Sequence, residues 1–314
     1  MVGMAHPRPF RFGISSVATP SAGAWRDLAR KCEDLGFSTL LGADHFNDQI
    51  APLPALAMAA EATTTLRVGT LVLGNDFKHP VMLAKELATL DVLSGGRLEW
   101  GMGAGWLPSD YETSGIPMDV PGVRVSRFDE SITVMKHLFG DGPTTFRGEH
   151  YQITKLNGTP KPLQRPYPRL LIGGAGDRML GIAARRAAIV GVAPAISTAA
   201  IWGAGREMPA VAADRQLARV RSAAGDRYAK LEISMVPTAL IVTDRPGEEI
   251  ARVADVTELP PDEVAASPYL LIGSVDGIID ALEERRARWD VSYWTIPVSF
   301  IDEAAPIVAR LAGR

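Results

Sequence analysis

Residues 67–102 read RVGTLVLGNDFKHPVMLAKELATLDVLSGGRLEWGM, and this stretch decides the fold. Its first seven residues, Arg67–Leu73, form a short apolar run of the kind that makes a buried strand. Pro80 then opens a helix that reaches Leu93, at a first-turn position where a missing amide proton costs nothing. SGGR turns the chain into Leu98–Met102, a second apolar strand. Strand, helix, strand in this order is the unit of a parallel sheet covered by helices.

The same rhythm continues in both directions. Upstream, the pattern predicts a strand over Phe10–Val17 and a helix over Ala24–Leu35 that Gly36 stops. A strand at Thr39–Gly42 and a proline-introduced helix at Leu53–Ala62 follow. Downstream comes a long helix, Arg124–Phe139, and then TFRGEHYQI (Thr145–Ile153), where two short alternating runs flank RGE and predict a β-hairpin. The rhythm resumes with a strand at Arg169–Ile172, a helix at Arg178–Ala187 and a strand at Ile189–Val192. A helix over Met208–Ala224 and one long strand over Leu231–Val242 come next. Residues 243–271, rich in proline and acidic side chains, read as an insertion before the last helix, Val275–Trp289, and the final strand, Ser292–Pro297. Eight strands alternating with helices close naturally into a (β/α)8 TIM barrel, an α/β fold. The expectation is therefore one barrel domain spanning the 314 residues, with an insertion late in the barrel. A doubly wound open sheet is the structural alternative, but the first strand is not followed by GxGxxG and an acidic residue at Rossmann spacing.

Composition narrows the class of function. A net charge of −3 gives no reason to expect nucleic acid or an anionic membrane as partner. The N-terminus lacks an apolar signal region and no apolar run reaches a membrane span, so the expectation is a soluble cytoplasmic protein. The single cysteine, Cys32, permits no intrachain disulfide and reads as a small packed residue. Histidines 6, 79, 137 and 150 are scattered without metal-ligand spacing, so no metal site is expected. No GxSxG elbow supports a serine hydrolase.

In a barrel the chemistry sits at the C-terminal ends of strands and in the loops that follow them. Four such places stand out. GADHFND (Gly42–Asp48) puts Asp44 and His45 together, where an imidazole can exchange protons near neutral pH; a loop histidine bonded to backbone is the other reading. LGNDFKHP (Leu73–Pro80) offers Gly74, Asn75 and the flat ring of Phe77, or simply a turn before a helix. GMGAGW (Gly101–Trp106) has alternate glycines that allow close approach of a ligand, and Trp106 is either a pocket wall or packing. LLIGGAGDRML (Leu170–Leu180) runs a strand through GGAG into a helix, a ready site for an anion, with Arg178 adding a full charge in the first turn.

Taken in order, EDLGFSTLLGADHF, LRVGTLVLGNDFKHP, LATLDVLSGGRLEWGMGAGW, YETSGIP, TFRGEHYQI and LLIGGAGDRML resemble bacterial luciferase-like oxidoreductases over nearly the whole chain, from Phe10 to about Pro297. The resemblance is strongest to the branch that uses coenzyme F420. It implies a barrel enzyme with F420 for hydride transfer, or reduced FMN with oxygen and a separate flavin reductase, acting on a small organic molecule. It also implies a homodimer. A flavin- or deazaflavin-binding module without turnover is the non-catalytic alternative. By the same resemblance His45 is the proton donor or acceptor beside the cofactor ring, and Asp44 contacts or orients the cofactor. A non-proline cis peptide near Leu71–Val72, followed by Gly74 and Asn75, would support the ring. Ala104 and Gly105, together with Gly173, Gly174, Ala175 and Gly176, would meet the cofactor phosphate. Sugar-phosphate dehydrogenases that resemble this family carry a glutamate where this chain has Trp106, with Glu112 six residues further on. That departure points away from a sugar phosphate. Phe46, Phe77, Trp106 and Trp294 point to an apolar substrate.

Overall fold

The computed structural model describes residues 8–16, 21–194 and 208–314. In chain order the elements are β1 (Arg11–Ser16), α1 (Ala22–Asp34), β2 (Thr39–Gly42), α2 (Pro52–Ala62), β3 (Arg67–Thr70), β4 (Leu73–Gly74), α3 (Pro80–Leu93) and β5 (Leu98–Gly103). Then come α4 (Pro108–Ser114), α5 (Pro121–Phe139), β6 (Thr144–Arg147), β7 (Gln152–Leu156), β8 (Arg169–Gly174), α6 (Asp177–Arg186), β9 (Ile189–Val192) and α7 (Ala210–Ala224). The chain ends with β10 (Glu232–Met235), β11 (Ala239–Val242), α8 (Pro246–Thr257), α9 (Pro261–Ala266), β12 (Leu270–Gly273), α10 (Val275–Trp289), β13 (Val291–Pro297) and α11 (Ile301–Leu311). The fold class is a (β/α)8 barrel, with parallel strands alternating with helices.

Two units make up the chain, one from residues 16–33 and 39–172, the other from residues 1–15, 34–38 and 173–314. In the first, β2, β3, β5 and the start of β8 pair side by side, all parallel. Trp100 of β5 lies on the helix-facing side, its ring edge-on to Phe139 of α5 at 5.5 Å and its indole N–H donating to the Pro168 carbonyl. The opposite face needs glycine. A Cβ at Gly101 would collide with the Thr70 carbonyl, and the two residues exchange hydrogen bonds of 2.8 Å through the Thr70 hydroxyl. Beyond Thr70 the Leu71–Val72 peptide is cis, and the strand resumes as β4 against Met102 and Gly103.

Side chains anchor the loops of this unit. Pro80 starts α3, and the His79 ring accepts the Val81 amide as its cap. Arg97 donates to the Ala60 and Leu66 carbonyls, which closes the C-terminal end of α2. Glu33 accepts the amides of Thr64, Thr65 and Leu66. The β6–β7 hairpin forms as the alternation predicts, and Glu130 accepts the amides of residues 149, 150 and 151 at its turn.

In the second unit β1, β13, β10 and β9 pair in that order. Arg11 makes a bidentate pair with the buried Glu232 and stacks over the Tyr293 ring. Two expectations are corrected here, the single strand over 231–242 and the place of the last helix. The stretch 231–242 is two strands: Pro237 lies between β10 and β11, and β11 pairs with β12 in a separate parallel ladder. Residues 243–271, the stretch expected to be a late insertion, hold α8, α9 and the start of β12. A further helix, α11, follows β13. Val17 and His6 lie outside the described residues. Among the described residues no helix is long and apolar enough to cross a membrane.

Burial alone would raise the Glu33 carboxyl, but the hydrogen bonds from Thr65, Leu66 and Thr64 outweigh it and bring it down to about 2. A depressed carboxyl stabilises the fold above the unfolded value near ~4.3 and loses that effect as pH falls through the folded value. Thermal midpoints of Glu33→Gln should therefore lie below those of the parent at neutral pH, with the gap closing between pH ~4.5 and ~2. A gap independent of pH would show that these bonds do not set the titration.

Candidate active site

Strand β2 ends at Gly42, and the chain leaves it through Asp44, His45 and Phe46. The helix α4, which follows the β5 loop, faces this turn. Pro108 opens α4, and its first turn carries Asp110, where the helix dipole favours a carboxylate. The Asp110 side chain is 4% exposed, and both its oxygens are used. Oδ2 lies 2.6 Å from His45 Nδ1, and Oδ1 accepts the Phe46 amide at 3.0 Å. An ionised carboxylate only accepts, so Nδ1 donates. Nε2 is then the nitrogen left for proton exchange. A ring held by one nitrogen and open at the other is the arrangement of a general acid or base.

Aromatic side chains surround this pair. The Trp106 ring stands edge-on to the His45 ring at 5.7 Å. Phe46 packs on Phe77 at 4.7 Å, and Phe77 on Tyr111 at 5.7 Å. Phe46 and Trp106 are 50% and 42% exposed, unusual for large apolar rings and suited to an apolar ligand. Asp44 is half-buried and accepts the Gly74 amide at 3.3 Å. Burial pushes its carboxyl above the ordinary value, against the Gly74 hydrogen bond. Asn75 is buried, with no hydrogen-bond partner for its Oδ1 among the described residues.

The glycines of GMGAGW are explained by the protein's own packing. Gly103 would press a Cβ onto Val72, and Gly105, at φ +80°, would drive one into the Tyr111 hydroxyl. Ala104 is buried. The loop after β8 is mixed, for a Cβ at Gly174 would press on Met179. Among the described residues a Cβ at Gly176 would meet nothing within 4 Å, and no side-chain bond caps α6 there. Gln216 donates to the Ala175 carbonyl and so fixes the loop. Arg178 sits exposed in the first turn of α6, behind Asp177.

The structure thus brings together Asp44, His45, Phe46, Gly74, Phe77 and Trp106. It adds Asp110, which the sequence did not single out although it lies in a loop region after a strand end. Glu112, two residues on, is exposed. Trp294 is fully buried in mid-strand, in register with Phe12 and Met235, and serves the packing of its sheet. Burial pushes the Cys32 thiol up to about 12, which leaves it inert.

A family model described as luciferase-like monooxygenase matches residues 4–257. The chain belongs to the luciferase-like monooxygenase family. Within this family it is 30% identical over 169 residues to the FMNH(2)-dependent dimethylsulfone monooxygenase of Pseudomonas putida, covering 51% of this chain and 46% of that one. The chain spans less than half the length of the curated relatives it matches. Among solved structures, the monooxygenase RslO1 from Streptomyces bottropensis superposes with a TM-score of 0.73 at 24% identity, over 96% of this chain and 97% of that one. The coenzyme F420-dependent tetrahydromethanopterin reductase of Methanopyrus kandleri gives 0.76 at 17% identity, over 97% and 99%. These likenesses establish the luciferase-like barrel as the fold.

Replacing Asp110 with alanine leaves the Phe46 amide and His45 Nδ1 without their acceptor. The luciferase-like barrel should lose about 1–3 kcal/mol of stability in urea denaturation. An unchanged midpoint would mean that the carboxylate holds neither group.

Proposed function

We propose that this luciferase-like chain is an oxidoreductase that uses coenzyme F420 for hydride transfer to or from a small, largely apolar organic substrate. The observation that carries this reading is the His45–Asp110 pair, a ring oriented through Nδ1 and open at Nε2 beside exposed aromatic side chains. His45 gives or takes the proton that accompanies the transfer. Phe46, Phe77 and Trp106 shelter an apolar substrate. Asp44, held by Gly74, orients the cofactor, and Leu71, Val72, Gly74 and Asn75 support its ring.

The other unit carries a candidate phosphate site of its own. Among the described residues nothing crowds a side chain at Gly176, and no side chain caps the helix that starts there. Gly173–Gly176 with Arg178 would hold a phosphate there by amides, dipole and charge. Ala104 and Gly105 are weaker candidates for a phosphate contact, because Tyr111 already accounts for the glycine at 105. When bound, the cofactor supplies two-electron chemistry: hydride transfer for a deazaflavin, reaction with oxygen for a reduced flavin. The flavin reading is the alternative, favoured by the FMNH(2)-dependent relative, and it requires a separate reductase as partner.

Titration of F420, FMN and riboflavin under identical conditions tests the reading. We expect F420 to bind more tightly than FMN. We expect Arg178→Ala to weaken both phosphate-bearing ligands by about three- to tenfold, the range of one helix-terminal charge, and riboflavin hardly at all. Tighter FMN binding would transfer the assignment to the flavin monooxygenases, and equal weakening of riboflavin would remove Arg178 from the phosphate.

A further inference from the structure

Helix α4, which carries Asp110, has only seven residues. What seats it is the residue after Asp110. The Tyr111 hydroxyl donates to Asp76 Oδ2 at 3.0 Å, and the other oxygen of Asp76 accepts from Arg127 Nε at 2.8 Å. Arg127 also donates to Asp119 Oδ2 at 2.7 Å. The Asp76 side chain is 3% exposed, and Tyr111 is buried. Four chain segments therefore meet in one network: the turn after β4, α4, the loop before α5, and α5 itself. The same hydroxyl occupies the space that a Cβ of residue 105 would need, and the Gly105 carbonyl accepts from Arg124. Tyr111 thus also sets the course of the chain through Trp106 into α4. On the other side its ring meets Phe77, which packs on Phe46, the residue whose amide Asp110 binds.

We infer that Asp76 and Tyr111 are positioning residues: the Asp76–Arg127 pair seats the Tyr111 hydroxyl, and through it holds Asp110 in register with His45. This deepens the functional reading above and rests on His45 as its acid or base. The network touches neither nitrogen of His45. Its effect passes through the placement of a carboxylate, and hydrogen-bond strength falls steeply with distance and angle. Burial, reinforced by the Asp76 carboxylate, raises the Tyr111 phenol, so it stays a donor across the working range of pH. The Asp76 hydrogen bond likewise raises Arg127, which keeps its charge. The clamp is therefore constant, and what it fixes is which His45 nitrogen bears the proton.

That tautomer is measurable on the cofactor-free protein by nitrogen-15 NMR of the neutral imidazole, with the His45 signal assigned by difference from His45→Gln. A neutral imidazole without a partner favours the proton on Nε2, whereas the Asp110 contact demands it on Nδ1. The parent should show predominantly the Nδ1–H form, and Asp110→Asn should lose it. Tyr111→Phe, which keeps the ring and removes only the hydroxyl, should reduce the Nδ1–H to Nε2–H ratio by roughly threefold or more. Asp76→Asn should do the same by an independent route. In the Asp110→Asn background neither change should move the ratio further. A ratio untouched in folded Tyr111→Phe, or an equal shift with and without Asp110, would overturn the inference. If neither F420 nor FMN binds, the functional reading falls, while the tautomer ratio still decides the clamp.

Discussion

Both oxygens of Asp110 are committed, one to the His45 ring and one to the Phe46 amide, and the arrangement of the candidate site depends on that commitment. A buried carboxylate must satisfy its lone pairs, because leaving them dry costs more than a hydrogen bond gains. The two donors it finds lie on adjacent residues of one turn. Satisfying the acid therefore orients the imidazole and also fixes the backbone that carries Phe46. The exposed ring of Phe46 is a consequence of this: its amide is pulled inward toward Asp110 while its side chain stays half in solvent.

Glycine serves two different ends in this chain. At 101, 103 and 105 the neighbouring atoms are protein, so the residue type is dictated by close approach of a strand, a valine and a phenol. At 176 no atom of the described residues lies within 4 Å of an added Cβ, and φ is −78°. GGAG is mixed, since a Cβ at Gly174 would press on Met179 while one at Gly176 would not be crowded by the described residues.

The barrel strands were readable because each is a short apolar run bounded by glycine, proline or a helix signal, as at Arg67–Thr70 and Leu98–Gly103. The run at 231–242 misled for the same reason: apolar character continues across Pro237, but the strand does not, since proline cannot donate to a ladder. Helix α11 escaped because Pro306 lies inside its amphipathic pattern. In the site, His45 and Asp44 announced themselves by residue type at a strand end. Asp110 did not, since its partner lies 65 residues away and no local periodicity couples a short loop helix to a distant turn. Its signal was position alone, an acid in the first turn of a helix after the β5 loop. Trp294 shows the converse: an aromatic residue in a strand is more often wall than pocket, and full burial decides it.

In the proposed reaction His45 performs the proton transfer. It is tested most directly by comparing His45→Ala with the parent for turnover and for cofactor affinity, in the same preparation, with a substrate the parent converts. Turnover should fall about 10²–10⁴-fold, with cofactor affinity changed by less than about threefold. Undiminished turnover would contradict it.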